Sequence, residues 1–322
     1  MKQVTIGILL LLLAQLPSVE SAQAFPDRPV KLVVASTAGG PPDIMARLLS
    51  DKLASVLGQP VIVENRAPGA GGTIGARSIL TAEPDGHTLL LGSTSNLLIA
   101  PLIYKNAGYG VDSFAPVAGL SESAEVLTVN PSIPAKSVAE LVGLAKSQPG
   151  MLRYGSAGIG TLPHLEGELL KARAGIDMIH VPYRGGGPAL TGLLGGEVQI
   201  FFSALTQMLP YISDGRLRGL AVTSERRSAL APELPTMVES GFDQFVTSSV
   251  AFLVAPPGTP IGVRQQLSEA VARALASAEM GQALAKMGAQ ARPSSVEELA
   301  SFLAQQHGRW TRIVDATRVS ID

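Results

Sequence analysis

Three short segments of this sequence combine small hydroxyl side chains with glycine, each after an apolar run. They read STAGGPPD from Ser36 to Asp43, STSN from Ser93 to Asn96, and SAGIGTLPH from Ser156 to His164. Glycine lets a backbone approach a bound molecule closely, and a helix start favours negative charge. Because none of the segments is a charged clamp, the pattern predicts a small anion held by neutral donors. Each segment could also be a plain turn between strand and helix.

Motifs for nucleotide binding and covalent catalysis are incomplete. The segment GAGGTIG, over residues 69–75, has Ile74 where a dinucleotide-binding loop needs its third glycine. The segment YGSAG has Tyr154 where a hydrolase nucleophile elbow needs glycine, so Ser156 lacks that setting. We therefore expect no catalytic residue and no cofactor.

Histidine and cysteine patterns indicate no metal site. Four histidines, with no paired metal-ligand spacing, stand at His87, His164, His180 and His307. We interpret His180 as structural, whereas His164 is either a ligand contact or a capping or packing residue. The sequence contains no cysteine. This excludes disulfides, thiolate metal sites and a lipid-modified cysteine anchor.

Composition narrows the class of protein. The chain has 322 residues, of which 46% are hydrophobic, and this length favours two domains over one. A formal net charge of −1 and an aromatic content of 4% give neither the basic surface nor the stacking platforms of nucleic-acid binding. We therefore expect no nucleic-acid partner.

The N-terminus has the pattern of an export signal. Lys2 precedes an apolar run over residues 6–13, and Ala22 to Ala24 read AQA. These features predict a cleaved signal peptide over residues 1–24, a mature chain from Phe25 and a periplasmic location. The alternative is an uncleaved anchor, but the run is shorter than the ~20 apolar residues of a membrane span.

Strand-length apolar runs alternate with amphipathic segments, which predicts a parallel α/β architecture. Ile44, Leu49 and Leu53 share one face of a helix ending at Gly58. The C-terminal third is predicted to be helical and to cover an earlier sheet. The strand predictions are 30–35, 60–65, 87–93, 178–183, 198–204 and 217–224. Loops after such strands form the ligand crevice of open α/β sheets, which places the three segments together.

A set of motifs in the mature chain resembles a known receptor family. The motifs, in family order, are FPDRPVKLVV, AGGPPDIMAR, LGQPVIVENRAPGAGGTIGA, PDGHTLLLG, FAPVAGL, LRYGSAGIGT, HVPYRGGGPAL and LAVTSERRSALAPELPTMVESG. They resemble the extracytoplasmic substrate-binding receptors of tripartite tricarboxylate transporters, often called Bug receptors. The resemblance runs nearly from end to end of the mature chain.

The resemblance implies a two-lobed α/β fold of the type II periplasmic binding protein kind. It implies capture of a small carboxylate between the lobes, delivery to the membrane subunits of a transporter, and no enzymatic activity. With two chain crossings, we place one lobe at residues 25–124 plus 233–322 and the other at 125–232. We expect the receptor to be a monomer.

The resemblance also implies which residues bind the ligand. Backbone N–H groups around residues 37–40 are expected to hold one end of the carboxylate. The expected ligand-binding residues are Ser36, Thr37, Ala38, Gly39, Asp43, Ser93, Ser95, Asn96, Ser156, Ala157, Gly160, Thr161, His164, Tyr183 and Ser203.

Departures from the family pattern concern the ligand. Residues 35–37 lack the aromatic wall that the first loop often has, and Ile159, Leu162 and Pro163 replace polar residues of the third loop. Ser203 replaces an acidic residue, so we expect a carboxylate without an amino group, unless residue 203 only packs beneath the loop. Two alternatives remain: an exported enzyme acting on a small acid, and a ligand-sensing partner of a signalling receptor.

Overall fold

Apolar runs form most of the strands in the computed structural model, which describes residues 25–36, 38–39, 41–66 and 70–321. The predicted signal peptide and Thr37 lie outside the described residues. The strands are β1 Val30–Val34, β2 Val61–Asn65, β3 Thr88–Ser93, β4 Ala115–Val129, β5 Arg153–Ser156, β6 Ile179–Pro182, β7 Ile200–Ala204, β8 Arg218–Val222, β9 Ser248–Ala255 and β10 Gln290–Ala291.

Helices lie between and after these strands. A π-helical turn over Thr94–Ile99 continues into the third helix, and short 3₁₀ turns cover Ala70–Gly72 and Val111–Ser113. No helix in the described ranges is long and apolar enough to cross a membrane. The helices are α1 Pro41–Leu57, α2 Thr73–Arg77, α3 Ala100–Ile103, α4 Val138–Ser147, α5 Leu162–Ala174, α6 Gly186–Leu194, α7 Leu205–Ser213, α8 Ile261–Leu275, α9 Ala278–Met287 and α10 Val296–Thr317.

The predicted end of the first helix is confirmed, and two later helices begin at a serine cap. Gly58, with φ of 70°, follows the last residue of α1, because glycine adopts the left-handed conformation at low cost. The Ser137 hydroxyl accepts from the backbone N–H of Glu140 at the start of α4. Ser295 and Glu298 form a reciprocal capping box at the start of α10.

One group of strands carries the first two predicted loops. Strand β1 lies between β2 and β3 and is parallel to both, while β9 pairs antiparallel with β3. Helices α1 and α8 pack on this group, where Leu32, Leu49, Leu89, Leu253 and Leu267 are buried together. Burying each such side chain contributes roughly 1.5–3 kcal/mol to the free energy of folding. This core therefore holds the strands that carry the loops in fixed positions.

A second group of strands carries the third loop. Strand β5 lies between β6 and β7 and is parallel to both. Strand β4 pairs antiparallel with β7 and with β8. Helix α5 packs against β5 and β7 with Leu165 and Leu169 buried, whereas Phe201 faces a separate core with Leu193 and Met208.

Strand β4 joins the two groups. Its residues 115–124 pair with β9, and its residues 125–129 pair with β7 and β8. The chain returns to the first group at Ser248, and the preceding residue, Thr247, donates its N–H to the carbonyl of Thr223. The lobe boundaries expected from the sequence stay a prediction. The first expected boundary, between residues 124 and 125, coincides with the change of partner strand along β4. The chain rejoins the first group at residue 248, which is later than the second expected boundary between residues 232 and 233.

Two sequence-based expectations need correction. The sheet is mixed rather than parallel, because β4 and β9 run antiparallel to their neighbours and β9 lies in the C-terminal third, which was predicted to be helical. Ile44 was placed on the buried face of α1, but 45% of its surface is exposed. It lies in the first turn of α1, whereas Leu49 and Leu53 lie deeper over the sheet.

Candidate functional site

The loops that were predicted to bind a ligand all lie at carboxyl ends of parallel strands. The first two follow β1 and β3, which are neighbours in the first group. The third follows β5, and Tyr183 and Ser203 lie at the ends of β6 and β7, which flank β5. Ligands of open α/β sheets bind at such edges.

The first loop is braced by Asp43. The Asp43 Oδ2 atom accepts from the backbone N–H of Gly39 at 2.8 Å and from Nε of Arg47 at 3.0 Å. The Arg47 guanidinium and the Gly39 N–H lower the pKa of Asp43 to about 2. Ala38 and Gly39 are exposed, and the half-buried Ser36 accepts at its carbonyl from the side chain of Asn65. Asp43 therefore shapes the loop and carries a charge that Arg47 compensates.

The second loop is a capped helix start. Ser93 Oγ accepts from the N–H of Asn96 at 3.3 Å, and Asn96 Oδ1 accepts from the N–H of Ser93 at 2.7 Å. The Asn96 amide nitrogen donates to the carbonyl of Leu91 at 3.2 Å. The amide of Asn96 is thus used inside the loop, whereas the half-buried Ser95 lies at the first turn with its hydroxyl toward the third loop.

The third loop folds around the buried hydroxyl of Ser156. Ser156 Oγ accepts from the N–H of Gly158 at 3.1 Å and lies 2.7 Å from Nε2 of His180. Thr161 donates from its hydroxyl to the Gly158 carbonyl at 2.7 Å. Ser156 is 0% exposed, while the neighbouring Ala157 is half-buried. The Ser156 side chain therefore sets the loop conformation from below.

Two stacked imidazoles support this loop. The rings of His164 and His180 lie 4.2 Å apart at 23°, and Tyr154 stacks on the other face of the pair at 4.8 Å from His180. The backbone N–H of Gly160 donates to Nδ1 of His164 at 3.2 Å. Burial lowers the pKa of His164 and lowers that of His180 to about 4. Both rings are therefore neutral at pH 7.

The second and third loops meet. The N–H of Leu162, at the start of α5, donates to Ser95 Oγ at 3.3 Å. The hydroxyl of Tyr104 donates to the carbonyl of Ile159 at 3.1 Å. A Cβ at Gly160 would lie 2.9 Å from Cδ1 of Ile103 and from Cε2 of Tyr104. Loops from the two groups of strands are thus in direct contact.

Tyr183 and Ser203 bond within the second group. The Tyr183 hydroxyl donates to Glu197 Oε2 at 3.0 Å, and burial with the nearby Glu197 carboxylate raises the tyrosine pKa. Ser203 is 6% exposed and donates to Oε1 of Gln207 at 3.0 Å. Gln207 lies in the first turn of α7, so Ser203 fixes the orientation of that amide.

Three residues near the loop contact were not among the predicted ones. Tyr104 bridges to the third loop, and Gly71 and Gly72 lie behind it with φ of 67° and 92°. A Cβ at Gly71 would lie 3.1 Å from Cε2 of Tyr104, and one at Gly72 would lie 3.0 Å from Cβ of Asn96. Gly71 and Gly72 belong to the GAGGTIG segment, whose sequence gives no sign of the contact with Tyr104.

The arrangement offers binding rather than an exposed nucleophile. Ser156 and His180 are close enough for proton transfer, but the serine hydroxyl is buried and already bonded to the loop backbone. Among residues 25–321, as far as they are described, no three His, Asp or Glu side chains are grouped to hold a metal ion. The exposed residues of the described loops include Ala38, Gly39 and Ile159, and the hydroxyl residues Ser36, Ser93, Ser95 and Thr161 are half-buried beside them.

Comparison with known proteins gives a family match over most of the chain. Residues 45–319 match the family described as "Tripartite tricarboxylate transporter family receptor". A similar protein is BugT of Bordetella pertussis, which is 36% identical over 299 residues, covering 92% of this chain and 91% of BugT.

Solved structures with similar sequences share the fold. The periplasmic binding protein BugD is 33% identical with a TM-score of 0.81, covering 92% of this chain and 99% of BugD. Rpa4515 of R. palustris, solved with adipate, is 32% identical with a TM-score of 0.83, at 92% and 99% coverage. MatC from Rhodopseudomonas palustris, solved with bound malate, is 33% identical with a TM-score of 0.81, at 90% and 100% coverage. The present chain has their two-lobed α/β fold.

Proposed function

The chain belongs to the tripartite tricarboxylate transporter receptor family, and from this premise we propose that it captures a small carboxylate between its lobes and delivers it to the membrane subunits of such a transporter. It is a periplasmic solute-binding protein of that family. The carboxylate and the delivery step are the parts that we propose.

The contact between the second and third loops supports this proposal most directly. Ser95 receives the N–H of Leu162, so the start of α5 lies against the first turn of the π-helical segment. The starts of the two helical segments are therefore neighbours. A carboxylate bound between these starts would gain hydrogen bonds and the favourable helix dipoles together.

The charge pattern agrees with a carboxylate ligand. The fifteen predicted binding residues include no lysine or arginine, and the acidic one, Asp43, is compensated by Arg47. A carboxylate would therefore be held by neutral donors, as helix-start sites hold anions. Such sites bind reversibly, which suits a protein that must release its ligand.

The chemistry at Ser203 supports a ligand without an amino group. A neutral hydroxyl bonded to Gln207 gives an ammonium group no ionic partner at this position. An ammonium buried without a partner is costly. We include in the proposal that the receptor acts as a monomer. The residues proposed to bind the ligand are Ser36, Thr37, Ala38, Gly39, Asp43, Ser93, Ser95, Asn96, Ser156, Ala157, Gly160, Thr161, His164, Tyr183 and Ser203.

A ligand screen tests the proposal. Thermal unfolding of the purified full chain is followed with mono-, di- and tricarboxylates, with malate and adipate among them, and with sugars and amines. A ligand at one hundred times its Kd adds about 2.7 kcal/mol to the free energy of unfolding, which raises the melting temperature by several degrees. Mass spectrometry of material that copurifies with the protein identifies a native ligand.

The outcomes separate the classes of ligand. A shift with carboxylates alone supports the proposal, and a shift with sugars or amines alone contradicts it. Turnover of a bound acid into a new product would favour the exported enzyme instead. Light scattering during size-exclusion chromatography tests the monomer.

A further inference from the structure

Two glutamates are buried where β4 passes between the two groups of strands. Glu125 is the first residue of β4 that pairs with β7, and it is 4% exposed. Glu166 lies in α5 and is 0% exposed. Its Oε1 atom accepts from the hydroxyl of Thr247 at 2.5 Å, whereas its Oε2 atom is buried without a partner among the described residues.

Hydrogen bonds from backbone N–H groups tie three chain segments together beside these carboxyl groups. The N–H of Glu125 donates to Oγ1 of Thr223 at 3.2 Å, and the N–H of Thr223 donates to the carbonyl of Glu125 at 2.9 Å. The N–H of Thr247 donates to the carbonyl of Thr223 at 3.0 Å. We call residues 125, 223 and 247 the junction. Through its bond to Thr247, Glu166 attaches α5 to the junction.

No cation in the described part of the chain pairs with either glutamate. Burial raises the pKa of Glu125 to about 8, and burial together with the charge of Glu125 raises the pKa of Glu166 well above its usual range. Other titratable and charged groups lie on neighbouring elements. On α10, Arg309 donates to the Val246 carbonyl, and Nδ1 of His307 has no partner among the described residues. The remaining groups have partners of their own: His164 stacks on His180, Glu168 is bonded to Tyr154 and Lys171, and Glu122 is bonded to Ser248 and Arg292.

We propose that Glu125 and Glu166 retain a proton at neutral pH and that this proton holds α5 against the junction. Two carboxylates in one dry site cannot both ionise at low cost, whereas a carboxylic acid beside a carboxylate can share its proton. In alkali the carboxyl O–H bond breaks and the proton passes to hydroxide, forming water. The two negative charges then repel, and α5 moves away from Thr247 with the third loop that precedes it.

A consequence for ligand capture rests on the proposed function. The third loop leads into α5, so the proton favours the arrangement in which that loop meets Ser95 and Tyr104. Loss of the proton would weaken carboxylate binding in alkali. The device would make closure depend on pH through groups that do not touch the ligand.

The first test compares pH profiles of stability for the full chain. The variants are Glu125→Gln, Glu166→Gln and the double variant; a glutamine at 166 can still accept from Thr247. The control is Glu297→Gln, an exposed side chain in the first turn of α10. A glutamate takes up its proton near pH 4.3 in the unfolded chain, so the native state binds the extra proton between about pH 4.5 and 8.

Because the native state binds the extra proton, a rise in pH within this range should destabilise the natural protein. As the pH rises from 5 to 8, the unfolding constant of the natural protein should rise about tenfold per pH unit relative to the double variant, for each retained proton. Glu297→Gln should follow the natural protein. Parallel profiles for the natural protein and the double variant would overturn the proposal. The proposal would also be overturned if the pH dependence of stability disappeared in sodium chloride but persisted in choline chloride, because the pair would then hold a cation.

A second measurement does not depend on the variants folding. Infrared spectra of the natural protein at pH 7 should contain the carbonyl band of a protonated buried carboxyl group, and this band should weaken in alkali. Absence of that band overturns the proposal. Malate titrations at pH 7 and pH 9 then test the consequence for ligand binding. If the infrared band and the stability profile are as expected but malate binds at neither pH, the retained proton is supported and the proposed ligand is wrong.

Discussion

The backbone N–H of Gly160 donates to Nδ1 of His164 at 3.2 Å. A ring nitrogen that accepts a hydrogen bond carries no proton, so this bond requires the neutral imidazole with its proton on Nε2. The stacking of His164 on His180 adds a second reason for neutrality, since two charged rings 4.2 Å apart would repel. The conformation of the third loop is therefore linked to the protonation of His164.

Acid should loosen this loop. Burial lowers the pKa of both histidines in the folded protein, to about 4 for His180, while an unfolded histidine titrates near 6.5. The unfolded chain therefore takes up protons first, and stability is lost as the pH falls from about 6.5 towards 4. Chemical denaturation at pH 7.5, 6 and 4.5 measures this loss as the difference between the natural protein and the His164 variants, because protonation of Glu125 and Glu166 acts in the opposite direction over the same pH range.

Two variants identify the residue responsible. His164→Asn keeps an acceptor near the position of Nδ1 but cannot titrate, so its stability should fall less with acid. His164→Phe keeps the stacked ring but lacks the acceptor, and should lose about 1 kcal/mol at pH 7.5. If His164→Asn shows the full acid dependence of the natural protein, His164 is not the group that titrates.

Gly160 should tolerate no side chain, because of the opposing loop contact. Its φ is +80°, and a Cβ would lie 2.9 Å from Ile103 and from Tyr104. Gly160 is also one of the residues that the sequence predicts to bind the ligand. Gly160→Ala should lower the free energy of unfolding by roughly 2–4 kcal/mol, combining left-handed strain with the clash, and weaken carboxylate binding.

Gly175→Ala is the matched control for that substitution. Gly175 has φ of +61° and no atom within 4 Å of an added Cβ, so this variant reports the conformational strain alone, about 1 kcal/mol. Denaturation and calorimetric titration of both variants separate the two contributions. Equal losses at the two positions would mean that the contact with Ile103 and Tyr104 does not matter.

Much of the fold could be predicted because local patterns agree with tertiary burial. The strand over Val30–Val34 and the end of α1 at Gly58 follow directly from an apolar run and a glycine stop. Strand β9 was missed because Ser248–Ala255 has an apolar core with no distinct alternation, and the helices after it dominated the pattern. Its antiparallel pairing with β3 is a tertiary choice that short-range periodicity does not encode.

The position of the candidate site could be predicted from the sequence, but the contacts of its side chains could not. Glycine and hydroxyl residues after strands marked the right edges of the sheet, yet Asn96 and Asp43 bond within their own loops. Tyr104 was not predicted, because its role depends on two distant loops meeting. The stack of His164 on His180 likewise joins a helix start to a neighbouring strand, which no sequence spacing reveals.

Ser203 should discriminate between carboxylates with and without an amino group. The natural protein should bind succinate or malate more tightly than aspartate, because Ser203 gives an ammonium no ionic partner. Ser203→Asp should weaken binding of the preferred acid by repulsion between like charges. Ser203→Ala, which removes only the bond to Gln207, is the control. Tighter calorimetric binding of aspartate by the natural protein, or unchanged affinity in Ser203→Asp, would contradict this assignment.

Ligand binding should bring the two predicted lobes together. The chain has no cysteine, so spin labels can be placed at will, and Ser55→Cys with Ser147→Cys places one exposed label on each lobe. A carboxylate that raises the melting temperature should shorten and narrow the distance distribution, because the loops on both sides would bond to one ligand. The control pair, Ser55→Cys with Ser301→Cys, lies within the first predicted lobe and should not change. If a ligand with measured affinity leaves the first pair unaltered, or changes both pairs alike, the lobes do not close as predicted; a change in the first pair alone supports both the boundaries and the closing motion.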